Sequence, residues 1–211
     1  MKETLELPGG RTLPVMSVDS GQPGPAVVVT ANIHGDEATG VGVVHNLARC
    51  LPDLLNKGSV HMYPTLNPGG LTANTRTLPG DGQDLNRMFP GKPRGSAAER
   101  HAHCIWKDIQ ARSPDALIDL HTDVAGAIPY AIVDRVVRVR DRRRLTTLCS
   151  RLANASGLTV LAEYPKDRYL RYNLDRSLPG AIVNLAGIPA VTLEVGPRRR
   201  LDPEAAAVAT G

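Results

Sequence analysis

The sequence predicts an α/β fold in which a mixed, mostly parallel twisted sheet carries helices on both faces. The first observation is the apolar run 27–33, which is short, rich in valine and followed by a turn, as in a strand buried on both faces. The second is that strand-like runs alternate with stretches of helical periodicity, a pattern typical of parallel sheets. The third is size, because 211 residues with 42% hydrophobic content suit one domain with a sizeable core.

The first part of the chain begins with β structure. Residues 3–18 alternate apolar and polar side chains around a Pro-Gly-Gly turn and predict a β-hairpin. After the buried strand 27–33, residues 37–50 predict a helix. This helix is expected to stop near Pro52, since proline ends or kinks a helix. Residues 59–64 predict the next strand.

A long segment without periodicity, residues 67–95, follows this strand. A loop of this length inside a compact domain is usually functional or disordered, and its many Asn, Asp and Arg residues favour function. Residues 96–112 then predict a helix, because Ser96 precedes it and Glu99 follows three residues later, the spacing of a capping box. Residues 115–122 predict a short strand that carries a histidine near its end.

The last part of the chain completes the sheet. Residues 128–133 and 190–195 predict strands, and residues 141–154 and 179–186 predict helices. An Ala-rich tail follows the last strand. Because no linker or internal repeat divides the chain, we expect residues 1–211 to form a single catalytic domain.

Positive charge is concentrated in two arginine clusters. The formal net charge is +4 and the pI is near 9.1, with arginines gathered at residues 135–144 and 198–200. Because no aromatic residues are interleaved with them, a solvated surface is favoured over a nucleic-acid-binding surface. We therefore expect no nucleic-acid partner, whereas a small anionic substrate is compatible with this charge.

Cysteine usage and hydropathy bear on the compartment. Cys50, Cys104 and Cys149 are widely spaced in helix-like stretches, so we expect buried free thiols and no disulfide. The N-terminus lacks the apolar stretch of a signal peptide, and no apolar run is long enough to span a bilayer. These features predict a cytoplasmic protein without a membrane partner.

Side chains capable of metal chemistry stand at the ends of predicted strands. His34 and Glu37 follow the first buried strand, and His121 ends a later one. Because ligands of open α/β sheets bind at the carboxyl ends of strands, these three side chains could form the His2Glu set of a catalytic zinc site. Glu194 lies in an otherwise apolar strand, where an unpaired carboxylate is costly, so it is the candidate general base. Each histidine alone also fits a core position, and their combination favours metal.

An ordered set of motifs extends this pattern. The motifs are His34-Gly-Asp-Glu37, Asn67-Pro-Gly-Gly, Asn74-Thr-Arg76, Asp84-Leu-Asn86-Arg87-x-Phe89-Pro-Gly91, Asp119-Leu-His121-Thr and Glu194-Val-Gly-Pro. In this order they resemble the succinylglutamate desuccinylase and aspartoacylase family of the zinc carboxypeptidase clan. The resemblance covers most of the chain and implies a zinc carboxypeptidase-like fold.

The resemblance also implies a role for each matched residue at the centre of the site. His34, Glu37 and His121 would bind Zn2+. Glu194 would act as general base and then as general acid. Arg76 is similar to the arginine that polarises the scissile carbonyl and stabilises the oxyanion.

Three further residues would bind substrate if the resemblance holds. Asn86 and Arg87 resemble the pair that holds a substrate carboxylate, for which a planar guanidinium is well matched. Arg176 is matched to a further arginine for a second substrate carboxylate. Family members also carry a smaller β-rich domain after the catalytic one, and we expect it to be absent here, since the chain ends 17 residues after Glu194.

The predicted function is zinc-dependent hydrolysis of the amide bond in an N-acylated amino acid or a related small acidic substrate. Two alternatives stay open. One is a metallocarboxypeptidase that acts on a peptide C-terminus, since zinc, base and carboxylate-binding arginine would be shared. The other is a catalytically idle binding module.

Overall fold

One sheet of eight strands organises the protein. The computed structural model describes residues 1–208. In chain order the strands are β1 (Lys2–Leu7), β2 (Arg11–Asp19), β3 (Ala26–Ala31), β4 (Ser59–Tyr63), β5 (Ala116–Asp123), β6 (Tyr130–Val133), β7 (Thr159–Ala162) and β8 (Ala190–Pro197). Within the sheet they follow the order β1-β2-β4-β3-β5-β8-β6-β7. Strand β8 therefore lies between two strands that precede it in the chain.

The strand directions confirm the predicted mixed, mostly parallel sheet. Parallel pairs are β3 with β4, β3 with β5, β5 with β8, and β6 with β7. Antiparallel pairs are β1 with β2, β2 with β4, and β6 with β8. Because β3, β5 and β8 are parallel neighbours, their carboxyl ends meet at one edge of the sheet. The three strand ends that carry the predicted metal ligands and base are therefore adjacent.

Helices cover both faces of the sheet, as predicted. They are α1 (Thr39–Leu54), α2 (Pro68–Ala73), α3 (Ala97–Ala111), α4 (Arg142–Ala155), α5 (Lys166–Arg171), α6 (Leu178–Ala181) and α7 (Pro203–Val208). Alternate residues of β3 enter two different cores. Val28 belongs to the same core as Ile105 of α3, whereas Val29 belongs to the core that contains Val43 of α1. The valine-rich run thus reads as an uninterrupted apolar segment because both of its faces are buried.

Helix α1 extends past the proline that was expected to stop it. Pro52 lies inside the last turn, and the helix ends at Leu54. The N–H of Leu55 still donates to the carbonyl oxygen of Leu51 at 2.8 Å. The helix therefore ends four residues past the predicted bound at residue 50 and two residues past Pro52; Pro52 has no N–H to donate to the preceding turn, but the helical hydrogen bonds resume at Leu55.

Helix α3 begins with the predicted capping box. The Ser96 hydroxyl accepts a hydrogen bond from the Glu99 N–H at 3.2 Å, and the Glu99 carboxylate accepts one from the Ser96 N–H at 3.0 Å. Each side chain therefore satisfies a backbone donor of the other at the helix start. The spacing of a serine and a glutamate was sufficient to locate this helix end.

The cysteines are free, as predicted, but they differ in burial. Cys149 of α4 is buried, whereas Cys50 of α1 and Cys104 of α3 are only partly buried. The expectation of three buried thiols was therefore wrong for two of them. Cys104 packs against the core that contains Ile105, and the side chain of Cys50 donates to the Leu47 carbonyl oxygen at 3.6 Å.

Several short elements were not predicted from the sequence. β7 is a four-residue edge strand, mostly exposed, and α2 and α5 have six residues each. α7 occupies the segment interpreted as an Ala-rich tail, where Ala206 joins the core of α1. Within residues 1–208, no helix combines the length and apolarity that crossing a membrane would require.

Candidate active site and metal centre

The turn after β3 holds the first two candidate ligands, and a buried asparagine shapes it. Asn32 adopts a left-handed conformation with φ of 54° and is fully buried. Its side-chain nitrogen lies 3.0, 3.1 and 3.1 Å from the carbonyl oxygens of His34, Gly35 and Glu37. Its side-chain oxygen accepts a hydrogen bond from the Thr65 hydroxyl at 2.7 Å. Asparagine suits this position because it tolerates positive φ and can hydrogen-bond locally.

A second loop packs directly against this turn. A Cβ atom on Gly35 would lie 2.0 Å from the carbonyl carbon of Gly70, so a side chain has no room there. Asn67 caps α2 by accepting the Gly70 N–H at 2.9 Å, and its amide nitrogen lies 3.4 Å from the Ile33 carbonyl oxygen. The start of segment 67–95 is thereby fixed to the end of β3. This contact explains two of the glycines in the sequence motifs.

Three buried side chains converge where β3 and β5 end. Nδ1 of His34 lies 2.8 Å from one Glu37 carboxylate oxygen, and Nδ1 of His121 lies 2.9 Å from the other. One donor atom from each of the three side chains falls within 4.8 Å of the others, and the described residues contain one such group. Two imidazoles and a carboxylate are a ligand set typical of catalytic zinc, so the donor chemistry fits this ion.

Two aspartates orient the histidines from the outer side. Nε2 of His34 lies 3.1 Å from the Asp84 carboxylate, and Nε2 of His121 lies 2.9 Å from the Asp119 carboxylate. Asp119 also accepts a hydrogen bond from the Thr30 hydroxyl at 2.7 Å. A carboxylate on the far nitrogen fixes the ring orientation of a metal-binding histidine. Neither aspartate was assigned a role from the sequence, although each stands inside a motif.

The electrostatics of the cluster favour ionised carboxylates. Burial alone would raise the pKa of Glu37, but hydrogen bonds and charge interactions with His121 and His34 hold this pKa well below its ordinary value. Burial alone would lower the pKa of His121, but the carboxylates of Asp119 and Glu37 raise it well above its ordinary value. The cluster therefore presents a buried negative charge that neighbouring positive groups stabilise.

Glu194 faces the same cavity from the neighbouring strand. It pairs with His121 in the β5–β8 register, and both residues line the cavity. Its Oε2 atom is buried without a hydrogen-bond partner among the described residues. Burial is the main cause that raises the pKa of the Glu194 carboxyl group. A carboxyl group with these properties is suited to accept and release a proton.

The other motif residues approach the cavity through segment 67–95. Arg76 Nη2 lies 3.1 Å from Asp84, and its Nη1 lies 3.5 Å from Glu37. Asn86 accepts the Leu178 N–H at 2.7 Å. Arg87 donates from Nε to the Tyr172 carbonyl oxygen at 3.0 Å and from Nη1 to the Asn86 carbonyl oxygen at 2.6 Å. Both guanidinium groups and the amide of Asn86 line the cavity.

Comparison with known proteins agrees with this arrangement. The sequence profile of the succinylglutamate desuccinylase/aspartoacylase catalytic domain matches residues 23–210. The chain belongs to this family. A crystal structure of a succinylglutamate desuccinylase/aspartoacylase from Rhodobacter sphaeroides superimposes with a TM-score of 0.78 at 26% identity, covering 99% of this chain and 61% of that one.

A deacetylase and a metallo-carboxypeptidase are also similar to this chain. An N-alpha-acetyl-L-2,4-diaminobutyric acid deacetylase of Halomonas elongata is 36% identical over 125 residues, which are 58% of this chain and 36% of that protein. A metallo-carboxypeptidase structure from Burkholderia cenocepacia has a TM-score of 0.73 at 18% identity, covering all of this chain and 61% of that one. The chain thus spans between about a third and three fifths of these relatives, and the zinc carboxypeptidase-like fold is confirmed.

One residue predicted from the family resemblance does not reach the site. Arg176 ends a 3-10 turn, where its carbonyl oxygen accepts the Phe89 N–H at 3.1 Å. Its side chain is not among those that line the cavity. The assignment of Arg176 to a second substrate carboxylate stays a prediction, and the cavity lining does not support it.

Another arginine, not singled out by the sequence, does line the cavity. Arg198 follows β8, four residues after Glu194, and its Nε lies 3.7 Å from the Glu37 carboxylate. The same nitrogen lies 3.5 Å from the Thr122 carbonyl oxygen. The sequence did contain a signal for Arg198, because it follows the carboxyl end of β8, the strand that carries Glu194. The sequence interpretation had instead assigned it to a solvated arginine cluster.

Proposed function

We propose that this protein hydrolyses the amide bond of an N-acylated amino acid with the help of a zinc ion held by His34, Glu37 and His121. The observation that carries the proposal is the convergence of these three donors beside Glu194, whose buried oxygen has no partner among the described residues. The deacetylase of Halomonas elongata supports the substrate class, because its name specifies an N-acetylated amino acid.

A zinc ion at this site would supply Lewis-acid polarisation of the scissile carbonyl and acidify a water molecule. The Glu194 carboxylate would take a proton from the attacking water and deliver it to the departing nitrogen. Its burial, which raises its pKa above the ordinary carboxyl value, suits this exchange. Asp84 and Asp119 would keep the two imidazoles in position throughout, through their hydrogen bonds to the outer ring nitrogens.

Charge that develops on the carbonyl oxygen needs a fixed cation. Arg76 is suited to this role because Asp84 and Glu37 hold its guanidinium at the cavity wall, one third exposed. A cation positioned before the reaction stabilises the oxyanion without reorganisation. The side chain of Arg76 would therefore contribute more to the transition state than to substrate binding.

The substrate would present a carboxylate to Arg87 and Asn86, which also line the cavity. Arg87 donates hydrogen bonds from Nε and Nη1 to backbone carbonyl oxygens. Its Nη2 makes no hydrogen bond within the described part of the chain. This fixed guanidinium, together with the Asn86 amide, is suited to a planar carboxylate. An α-carboxylate bound there would direct the acylated nitrogen toward Glu194.

The first experiment is metal analysis combined with turnover. We expect about one zinc per chain in the purified protein, lost in His34→Ala and retained in His45→Ala, which removes an exposed histidine on α1. The zinc-loaded protein should release free amine from a panel of N-acetyl and N-succinyl amino acids and not from peptides. Preferential cleavage of peptide C-termini would instead identify a carboxypeptidase. Zinc binding without turnover of either panel would identify an idle binding module.

A further inference from the structure

Two acidic side chains, Asp134 and Glu163, lie side by side in the wall of the cavity. Asp134 follows β6 and Glu163 follows β7, and both line the cavity. The two strands are parallel and pair Val133 with Ala162, so the two acidic residues come next in this register. The N–H of Glu163 donates to the Val133 carbonyl oxygen at 3.1 Å, which continues the register. The backbones of the two acidic residues are thus about 5 Å apart.

Arg87 is a cation that acts on both acidic residues. It lines the same cavity, and its hydrogen bonds go to two backbone carbonyl oxygens, so within the described part of the chain it affects the carboxylates through its charge. Burial raises the pKa of both carboxyl groups, and the charge of Arg87 opposes this increase. Burial also lowers the pKa of Arg87, and the charges of Asp84, Glu163 and Asp134 oppose that decrease. The acidic pair and Arg87 therefore stabilise each other's charged forms.

The environment of Asp134 favours its neutral form. Asp134 is 5% exposed, and one of its oxygens accepts the Tyr169 hydroxyl at 2.7 Å. Burial, with the nearby charges of Glu163 and Asp119, raises the pKa of Asp134 to about 7. The Tyr169 hydrogen bond and the charge of Arg87 oppose this increase but do not cancel it. The acidic pair therefore exchanges one proton with solvent near neutral pH.

Glu163 has different neighbours. It is partly exposed, and its carboxylate accepts the Tyr164 N–H at 3.0 Å. Arg135 donates to the carbonyl oxygens of Glu163 and Tyr164, at 2.6 to 3.1 Å, and acts on the Glu163 carboxylate through its charge. Burial nevertheless raises the pKa of Glu163. Because two neighbouring carboxyl groups do not readily ionise together, a change of charge beside the pair shifts a proton onto it or off it.

A substrate carboxylate would be such a change of charge. Bound to Nη2 of Arg87, it would neutralise the cation that favours the ionised forms of Asp134 and Glu163. It would also add a third negative charge to the same cavity. Both effects raise the pKa of the acidic pair, so a proton would enter the pair as the carboxylate binds.

We propose that Asp134 and Glu163 are positioning residues that balance the charge of Arg87, and that this pair takes up a proton when a substrate carboxylate binds to Arg87. The inference rests on the proposed function for the choice of Arg87 as the carboxylate-binding residue. Because coupling between two binding events is reciprocal, the carboxylate must bind more tightly to the protonated pair. Affinity should therefore increase as the pH falls from about 8 to 6 and level off below, where the pair is already protonated.

Titration calorimetry measures this proton uptake directly. The Glu194→Ala variant prevents turnover and also removes another carboxyl group of raised pKa from the cavity. The probes are N-acetyl-L-alanine and N-acetyl-L-alanine amide, which lacks the carboxylate. From titrations at pH 7 in two buffers of different ionisation enthalpy, we expect about half a proton to be taken up per N-acetyl-L-alanine bound, and its affinity should rise about tenfold from pH 8 to pH 6. The amide should bind more weakly and without proton uptake.

Variants on the Glu194→Ala background assign the proton to the acidic pair. Asp134→Asn should abolish the proton uptake and the pH dependence while N-acetyl-L-alanine still binds. Glu163→Gln is an independent test if Asp134→Asn fails to fold, because Glu163 is partly exposed and its carboxylate makes one local hydrogen bond. It should reduce the uptake at least about twofold, since it removes a charge that raises the pKa of Asp134. Asp167→Asn, an equal charge change at an exposed position of α5 outside the cavity, should leave the uptake unchanged.

Turnover by the protein without substitutions separates this inference from the proposed function. Proton uptake that is lost in Asp134→Asn or Glu163→Gln would support the acidic pair even if no amide were cleaved, and then only the proposed reaction would be wrong. Amide hydrolysis together with pH-independent binding and no proton uptake would overturn the acidic pair alone. Equal binding of the two probes would show that Arg87 does not bind the carboxylate and would overturn this inference as well. Absence of both cleavage and binding would overturn both proposals.

Discussion

Replacing Asn32 by alanine should destabilise the protein far more than an ordinary substitution. The change removes the two side-chain N–H donors of Asn32, which three carbonyl oxygens share, and the hydrogen bond that it accepts from Thr65, all of them buried. At about 1 kcal/mol for each of three net hydrogen bonds, the loss is about 3 kcal/mol. Alanine would also have to adopt φ of 54°, which costs about 1 kcal/mol more. We therefore expect the free energy of unfolding to fall by about 4 kcal/mol.

Asn74→Ala is the matched control, because it isolates the backbone cost. Asn74 has nearly the same conformation, with φ of 51°, but its side chain is exposed and makes no hydrogen bond within the described residues. Urea unfolding of metal-free protein should show a loss of about 1 kcal/mol for Asn74→Ala. If Asn32→Ala cost no more than this control, the hydrogen-bond network would not be what holds the ligand turn.

Three further predictions concern Glu194, Gly35 and His101. Glu194→Ala should reduce amide hydrolysis at least about a hundredfold while zinc content stays unchanged, and loss of zinc in elemental analysis would contradict its role as a base. Gly35→Ala should lose at least about 3 kcal/mol of stability because its Cβ would overlap the backbone of the neighbouring loop, whereas Gly42→Ala in α1, with 3.5 Å of clearance, should be neutral or stabilising in urea titrations. Burial lowers the pKa of His101 from 6.5 to about 4. As the pH decreases, His101 is therefore protonated in the unfolded chain at a higher pH than in the folded protein. The free energy of unfolding should therefore fall by up to about 3 kcal/mol as pH decreases from about 6.5 to 4, and urea titrations of His101→Gln should lack this loss.

Much of the site was predictable because its residues follow strands. Apolar runs with β-branched residues identify buried strands. A polar side chain that is buried at the end of such a run is costly unless it has a partner, so it is a candidate for a functional role. His34, His121 and Glu194 all stand in this position, and parallel neighbours bring such ends together. The local pattern indicated which strand ends to examine, the family resemblance supplied the roles, and the structure brings His34, Glu37 and His121 together.

The supporting residues could not be assigned in the same way. Asp84 contacts His34 across 50 residues of sequence, through a loop whose path has no periodicity. Arg176 and Arg198 are indistinguishable by residue type, and only the backbone path decides which one reaches the cavity. Short elements such as β7 depend on the strands beside them more than on their own side chains.

Because β8 lies between β5 and β6, the sheet can be completed only late in synthesis. A ribosome delivers β5 and β6 before β8, yet β8 separates them in the finished sheet. Until residue 197 has been synthesised, the two earlier strands therefore present bare hydrogen-bonding edges toward the gap between them. The three candidate zinc ligands are already present at that stage, whereas Glu194 arrives with the missing strand. A nascent chain therefore contains all three candidate ligands before it contains Glu194, and the cluster is complete only when β8 has entered the sheet.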